Sequence, residues 1–169
     1  MKHIINNSYA IHLGVIMEEE VVLKLIEKKY NIAFAESCTG GLCAARLINV
    51  ANASKVLNVS FVTYSNEAKN KYLGVSFDTI EKYDVVSIEV AMEMAKGVAL
   101  NTCSRVGVGV TGVAGPTGGS DLIPLGTVCF GFYINGALFG EKIQFGNIGR
   151  NNVREAATDY VFKRLNELL

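Results

Sequence analysis

Residues 126–134 and 137–145 are two strand-like runs separated only by Asn135-Gly136. Asn-Gly suits a two-residue hairpin because both central positions of that tight turn need positive φ. An antiparallel pair is therefore expected late in the chain. Upstream, strand-like runs over 32–35, 56–64 and 105–110 alternate with helical patterns. Such alternation produces parallel strands joined by crossing helices. The two requirements together predict an α/β fold, a three-layer α/β/α arrangement with a mixed β-sheet in a single domain. A chain of 169 residues is long enough to bury the core this needs.

The helices can be placed from stripes and caps. From Met17 onward, Val21, Val22, Leu25 and Ile26 form one apolar stripe, with Glu18, Glu19 and Glu20 at its start and Lys28 and Lys29 at its end. A second helix carries Leu42, Ala45, Leu47 and Ile48. Ser65 is expected to cap a helix over 66–73 that Gly74 closes, and Asp78 with Glu81 reads as a capping box. Ser87 caps a longer helix through Leu100, with Val90, Met94, Ala95 and Val98 facing inward. The last helix covers about 152–169, with Val153, Ala156, Ala157, Tyr160, Val161 and Leu165 on its apolar face. Residues 1–16 show no clear period and are assigned as an N-terminal extension of unknown role, leaving 17–169 as the folded domain.

Composition excludes several classes of function. Sixteen basic and sixteen acidic residues leave no net charge, so nothing suggests binding to nucleic acid or an anionic membrane surface. The four cysteines form no C-x-x-C pair, which argues against a metal cage or a disulfide framework. Cys43, Cys103 and Cys129 are expected as small core residues. No apolar run approaches membrane-spanning length and no signal-peptide pattern opens the chain, so a cytoplasmic protein is expected. The only histidines, His3 and His12, precede the first clear helix. An enzyme built on this chain would need a lysine, tyrosine or carboxylate as its base, and no cofactor is called for. Gly107, Gly109 and Gly112 match the dinucleotide fingerprint by spacing, but they sit within a strand pattern and no helix follows.

Four segments remain as candidates for chemistry. Glu36-Ser37-Cys38-Thr39-Gly40-Gly41 joins a strand to a helix, where free backbone N–H groups can hold an anion or a developing oxyanion. It could equally be a cap whose glycines serve packing. Ser37 is a possible nucleophile there, and Cys38 its rival, although adjacent side chains usually point apart. Tyr64-Ser65-Asn66-Glu67-Ala68-Lys69 follows the second strand. Lys69 becomes a general base if burial lowers its pKa, with Tyr64 relaying a proton, but a solvated lysine is the plainer reading. The loop from Thr111 through Gly112 and Gly115 to Asp121 is rich in glycine and suits ligand contacts. Arg150 and Arg154 lie four apart at a helix start, where two guanidinium groups could clamp a phosphate or merely pair with nearby acids.

Taken in order, Ala35-Glu36-Ser37-Cys38-Thr39-Gly40-Gly41, Tyr64-Ser65-Asn66-Glu67-Ala68-Lys69, Val86-Ser87, Thr111-Gly112-Val113-Ala114-Gly115-Pro116-Thr117-Gly118-Gly119, Gly126-Thr127-Val128, and then Arg150 and Arg154 form one series. That series resembles the CinA C-terminal domain family, the nicotinamide-nucleotide amidases, over about 17–169. The resemblance implies hydrolysis of nicotinamide mononucleotide to nicotinate mononucleotide and ammonia, in pyridine-nucleotide recycling. It implies Ser37, Lys69 and Tyr64 as catalytic residues. Substrate-binding roles would fall to Glu36, Thr39, Gly40, Gly41, Thr111, Gly112, Gly115, Arg150 and Arg154, with no metal and no cofactor. Some members of the family carry a second, N-terminal domain that resembles molybdopterin-binding proteins, and this chain is too short to hold one. Asp84-Val85-Val86-Ser87 departs from the family, which often has a glycine in that stretch. Two alternatives stand beside the amidase: a non-catalytic nucleotide-sensing or partner-binding module linked to competence and DNA damage, and an amidase for another small amide. The expected partner is a small nucleotide, and a homo-oligomer is expected.

Overall fold

The protein was analysed as a computed structural model that describes the backbone from Ile5 and the side chains from Met17 onward. Helix α1 spans Ile5–Lys28, so helical backbone begins well ahead of the stripe that starts at Met17. The remainder of the expected extension, residues 1–4, lies outside the described residues. Lys29 ends α1 in a left-handed conformation, with φ of 55°. The chain then continues as β1 (Ile32–Glu36), α2 (Leu42–Leu47), β2 (Phe61–Val62), α3 (Asn66–Leu73), α4 (Phe77–Tyr83) and α5 (Ile88–Asn101). Strands β3 (Val106–Gly112), β4 (Thr127–Ile134) and β5 (Ala137–Gln144) and helix α6 (Arg150–Leu168) complete it.

The five strands form one mixed sheet in the order β2-β1-β3-β4-β5. β1 runs parallel to both β2 and β3, whereas β4 pairs antiparallel with β3 and with β5. Asn135 and Gly136 take φ of 47° and 102°, the positive pair that a two-residue hairpin requires.

Both faces of the central strands are covered, which is why β1 is apolar at nearly every position. Ile32 and Phe34 join Val106, Val108, Val110, Phe130 and Phe132 under α1, α2 and α6. Ala33 and Ala35 point the other way, onto Val90, Met94 and Val98 of α5 and Leu73 of α3. The alternation of small and large residues along β1 therefore sets a thin gap on one face and a thick one on the other. Glycine makes the thin gap possible. A Cβ at Gly107, Gly109 or Gly131 would sit 2.1, 2.2 or 2.1 Å from a carbonyl oxygen of Ala95 or Ala91. The three glycines let α5 lie directly on β3 and β4, and a Cβ at Gly112 would meet Thr127 C=O at 2.7 Å, so the fingerprint-like spacing of Gly107, Gly109 and Gly112 reflects packing.

Several boundaries differ from the sequence reading. The strand expected over 56–64 shrinks to Phe61–Val62, with one isolated bridge from Leu57 to Ile32. Its neighbour's backbone is satisfied otherwise, since Phe34 N–H donates to the Ser60 hydroxyl at 3.1 Å. The cap of α4 is Ser76, whose hydroxyl accepts from Asp78 N–H at 3.2 Å, so Asp78 belongs to the first turn. Ser65 and Ser87 cap α3 and α5 as expected, through Ala68 N–H and Val90 N–H. Cys43 and Cys129 are buried, but Cys103 is exposed just beyond α5, correcting its placement in the core. The last helix buries Thr158 and Phe162 as well, while Tyr160 packs half-buried on the core against Phe130.

Candidate active site

β1 ends at Glu36 between two parallel neighbours, at the carboxyl edge of the sheet where ligands of open α/β folds collect. The chain then turns sharply into α2. The Glu36 carboxylate is fully buried and accepts N–H bonds from Gly41 (2.9 Å), Cys43 (3.1 Å) and Ala44 (3.0 Å). It thereby supplies the negative charge that the N-terminus of α2 favours. Gly40 N–H donates to Ser37 C=O at 3.1 Å. These bonds correct the expectation for the turn, because Glu36 is an internal cap and the N–H groups of Gly40 and Gly41 are already engaged. Thr39 is wholly buried behind the turn. Within the turn, the N–H groups of Cys38 and Thr39 bond to no oxygen acceptor among the described residues. Gly40 and Gly41 serve the turn through their left-handed φ of 61° and 97°.

Ser37 is anchored by its own N–H, which donates to Val110 C=O on β3 at 2.9 Å. Its hydroxyl accepts from Lys69 Nζ at 3.2 Å. Lys69 reaches it because the Ser65 cap starts α3 immediately after β2, so the first turn of α3 overhangs the end of β1. The same Nζ donates to Thr63 C=O at 2.9 Å. Lys69 is only 1% exposed, and burial holds its ammonium below the ordinary lysine value of 10.5. A buried lysine with a depressed pKa touching a serine hydroxyl is an arrangement for deprotonating that hydroxyl. Cys38 also borders the cleft, so the two neighbours do not point fully apart. Burial pushes the Cys38 thiol up to about 12, which disfavours it as the nucleophile.

Ser37 and Lys69 open into a cleft of about 540 Å³. Tyr64, Thr111, Gly112, Gly115 and Arg150 line it, as the sequence reading placed them. The Tyr64 hydroxyl accepts from Arg150 Nη2 at 2.8 Å, and Arg150 Nη1 donates to Gly115 C=O at 2.9 Å. Tyr64 is thus joined to the arginine rather than to Lys69. Thr111 donates its hydroxyl to Val85 C=O at 2.9 Å, tying β3 to the segment before α5. Glu36, Thr39, Gly40, Gly41 and Arg154 do not reach the lining. Arg154 instead donates to Cys38 C=O at 3.1 Å and Thr39 C=O at 2.9 Å, behind the turn.

Thr117 and Ser120 of the loop expected to contact ligand border the cleft, and so do Asn66 and Asp84, which the sequence did not single out as site residues. Asp84 carried a signal, as it lies where the family pattern often has glycine. It takes φ of 72° and ψ of 155°, a region that glycine occupies freely and other residues rarely do. Its carboxylate accepts Val86 N–H at 2.9 Å.

The fold and this serine–lysine pair define a class, small α/β proteins with a serine–lysine pair in a cleft at the sheet's carboxyl edge. The chain belongs to the CinA C-terminal domain family, whose pattern it matches over residues 15–169. It is 49% identical over 148 residues to a putative competence-damage inducible protein of Alkaliphilus oremlandii, covering 87% of this chain and 36% of that protein. A CinA-like protein of Kosmotoga olearia is 46% identical over 140 residues, covering 82% of this chain and 34% of the relative. The chain thus spans about a third of the length of the curated relatives it matches. Among solved structures, the competence/damage inducible protein CihA from Agrobacterium tumefaciens superimposes with a TM-score of 0.88 at 34% identity, over 92% of this chain and 94% of that one. A CinA superfamily protein from Escherichia coli gives 0.87 at 34%, over 90% and 88%. Among the described residues, no helix is long and apolar enough to cross a membrane.

Proposed function

We propose that the protein is an amidase acting on the carboxamide of nicotinamide mononucleotide, releasing ammonia and nicotinate mononucleotide. The observation that carries this reading is the 3.2 Å contact between Lys69 Nζ and Ser37 Oγ at the floor of the cleft. An amide leaves poorly, so its hydrolysis needs a nucleophile, a site for the oxyanion and an acid for the departing nitrogen. Neutral Lys69 takes the Ser37 hydroxyl proton as Oγ bonds to the carboxamide carbon. The carbonyl oxygen then carries the negative charge, held by the free N–H groups of Cys38 and Thr39. As the C–N bond breaks, the proton on Lys69 passes to the nitrogen, which leaves as ammonia. Water attacks the resulting ester, giving a proton to Lys69 that returns to Ser37, and the free acid departs.

Arg150 supports a nucleotide over a bare amide. It is the cation on the cleft lining beyond the lysine, and its guanidinium, shared with Tyr64 and Gly115, can turn to a phosphate. Tyr64 would then steady Arg150, in place of relaying a proton to Lys69.

Ammonia release from nicotinamide mononucleotide by the purified protein tests the reading. Ser37→Ala is expected to lower turnover by roughly a thousand-fold or more. A Ser37→Ala protein that releases ammonia at the normal rate removes Ser37 from the chemistry. The riboside, which lacks the phosphate, is expected to show a raised KM. Equal KM values for riboside and nucleotide would point to an amidase for another small amide.

A further inference from the structure

The turn that carries Ser37 is held from two sides. Inside, the Glu36 carboxylate binds Gly41, Cys43 and Ala44. Outside, Arg154 of α6 places Nε on Cys38 C=O and Nη2 on Thr39 C=O. Arg154 is itself well placed by its helix, since its own carbonyl accepts the Thr158 hydroxyl at 2.9 Å. A Cβ at Gly40 would lie 3.4 Å from Arg154 Nη2, so the guanidinium lies close against the turn.

A trans peptide is planar, and its C=O and N–H point in opposite directions. Cys38 C=O and Thr39 N–H belong to one such plane. Fixing the carbonyl on the α6 side therefore fixes the N–H on the other side. Ser37 and Cys38 border the cleft and Arg154 does not, so the Thr39 N–H opposite the held carbonyl is directed to the cleft side of the turn. A cation on the carbonyl end of a peptide also strengthens the donor at its other end.

We infer that Arg154 is a positioning residue for the amidase step: by holding the Cys38 carbonyl, and bracing the turn at the Thr39 carbonyl, it aims and strengthens the Thr39 N–H donor toward the oxyanion. This rests on the amidase reading for the reaction, and replaces the phosphate role expected of Arg154. Arg150 faces the cleft and Arg154 the back of the turn, so the two arginines should fail in different kinetic constants.

The test pairs turnover with a probe independent of the natural substrate. A small fluorophosphonate bonds covalently to an activated serine, fluoride leaves, and its phosphoryl oxygen uses the same donors as an oxyanion; intact mass reports the adduct. Arg154→Met is expected to slow both Ser37 labelling and kcat by about ten-fold to a hundred-fold, with KM for nicotinamide mononucleotide nearly unchanged. Arg154→Lys, which can reach one carbonyl but not fork to both, should fall between. Arg164→Met on the same helix, which loses the ion pair to Glu141, should label at the normal rate and controls for loosening of α6. Labelling that depends on Arg154 without ammonia release from the nucleotide would leave this inference standing and remove the substrate assignment. Unchanged labelling and kcat in a folded Arg154→Met or Arg154→Lys protein, or a loss confined to KM, overturns it.

Discussion

Lys69 carries opposed demands. Its ammonium is buried against the Ser37 hydroxyl and the Thr63 carbonyl, and burial lowers its pKa below 10.5. The folded state therefore gives up this proton at a lower pH than the unfolded chain does. Between those two values the unfolded chain binds more protons, so this residue's contribution to stability increases as pH rises toward 10.5. Catalysis follows the same sign, because only neutral Lys69 accepts the Ser37 proton. We expect kcat/KM to rise with pH on a limb centred below 10.5, and a limb at or above that value would remove Lys69 as the base. Lys69→Met should abolish turnover yet melt no lower than the unsubstituted protein, as measured by thermal denaturation, because it removes a buried charge at a site kept for function. The residue types of this site were visible in the sequence, including Ser37, Lys69 and Arg150. Their pairing was less so. Nothing in the spacing of Glu36 and Gly41 says that one side chain will occupy the helix N-terminus, and nothing distinguishes Arg154 from Arg150 until α6 is docked.

Elements divide into those set by local signals and those set by neighbours. Ser65, Ser87, Gly74 and Asn135-Gly136 act within a few residues, and the structure keeps each where the sequence placed it. β2 shows the other case. Its apolar content suggested a strand over 56–64, but its pairing depends on β1, and the Ser60 hydroxyl takes the Phe34 N–H that a longer ladder would need. The glycines of β3 and β4 depend on α5 in the same way. Gly109→Ala places a methyl 2.2 Å from Ala91 C=O. It should cost about 3 kcal/mol, or roughly 6–12 °C in Tm by calorimetry. Asp84→Gly should act oppositely. Relief of the backbone at φ 72° outweighs loss of the Val86 N–H bond, for a gain of about 1 kcal/mol in denaturant unfolding.

For the whole molecule, the order β2-β1-β3-β4-β5 gathers the site at one end of the sheet. The ends of β1 and β3, the cap of α3 and the start of α6 meet there, although they are spread from Glu36 to Arg154 along the chain. The mixed three-layer fold was legible because alternating elements followed by a hairpin leave few other arrangements. Where the cleft would form was not, because it depends on which strand ends lie side by side. The balanced charge of sixteen basic and sixteen acidic residues bears on behaviour in solution. Solubility in polyethylene glycol should pass through a minimum near neutral pH, where net charge vanishes.

The hairpin of β4 and β5 has a practical consequence. Val128 pairs with Gly112 at the cleft end, whereas Ile134 pairs with Val106 at the opposite end. The exposed Asn135-Gly136 tip is therefore a handle on the far pole of the molecule. A tether, a dye or a short inserted peptide attached there leaves the cleft facing outward, so that a surface-bound layer of the protein presents every site to the solution.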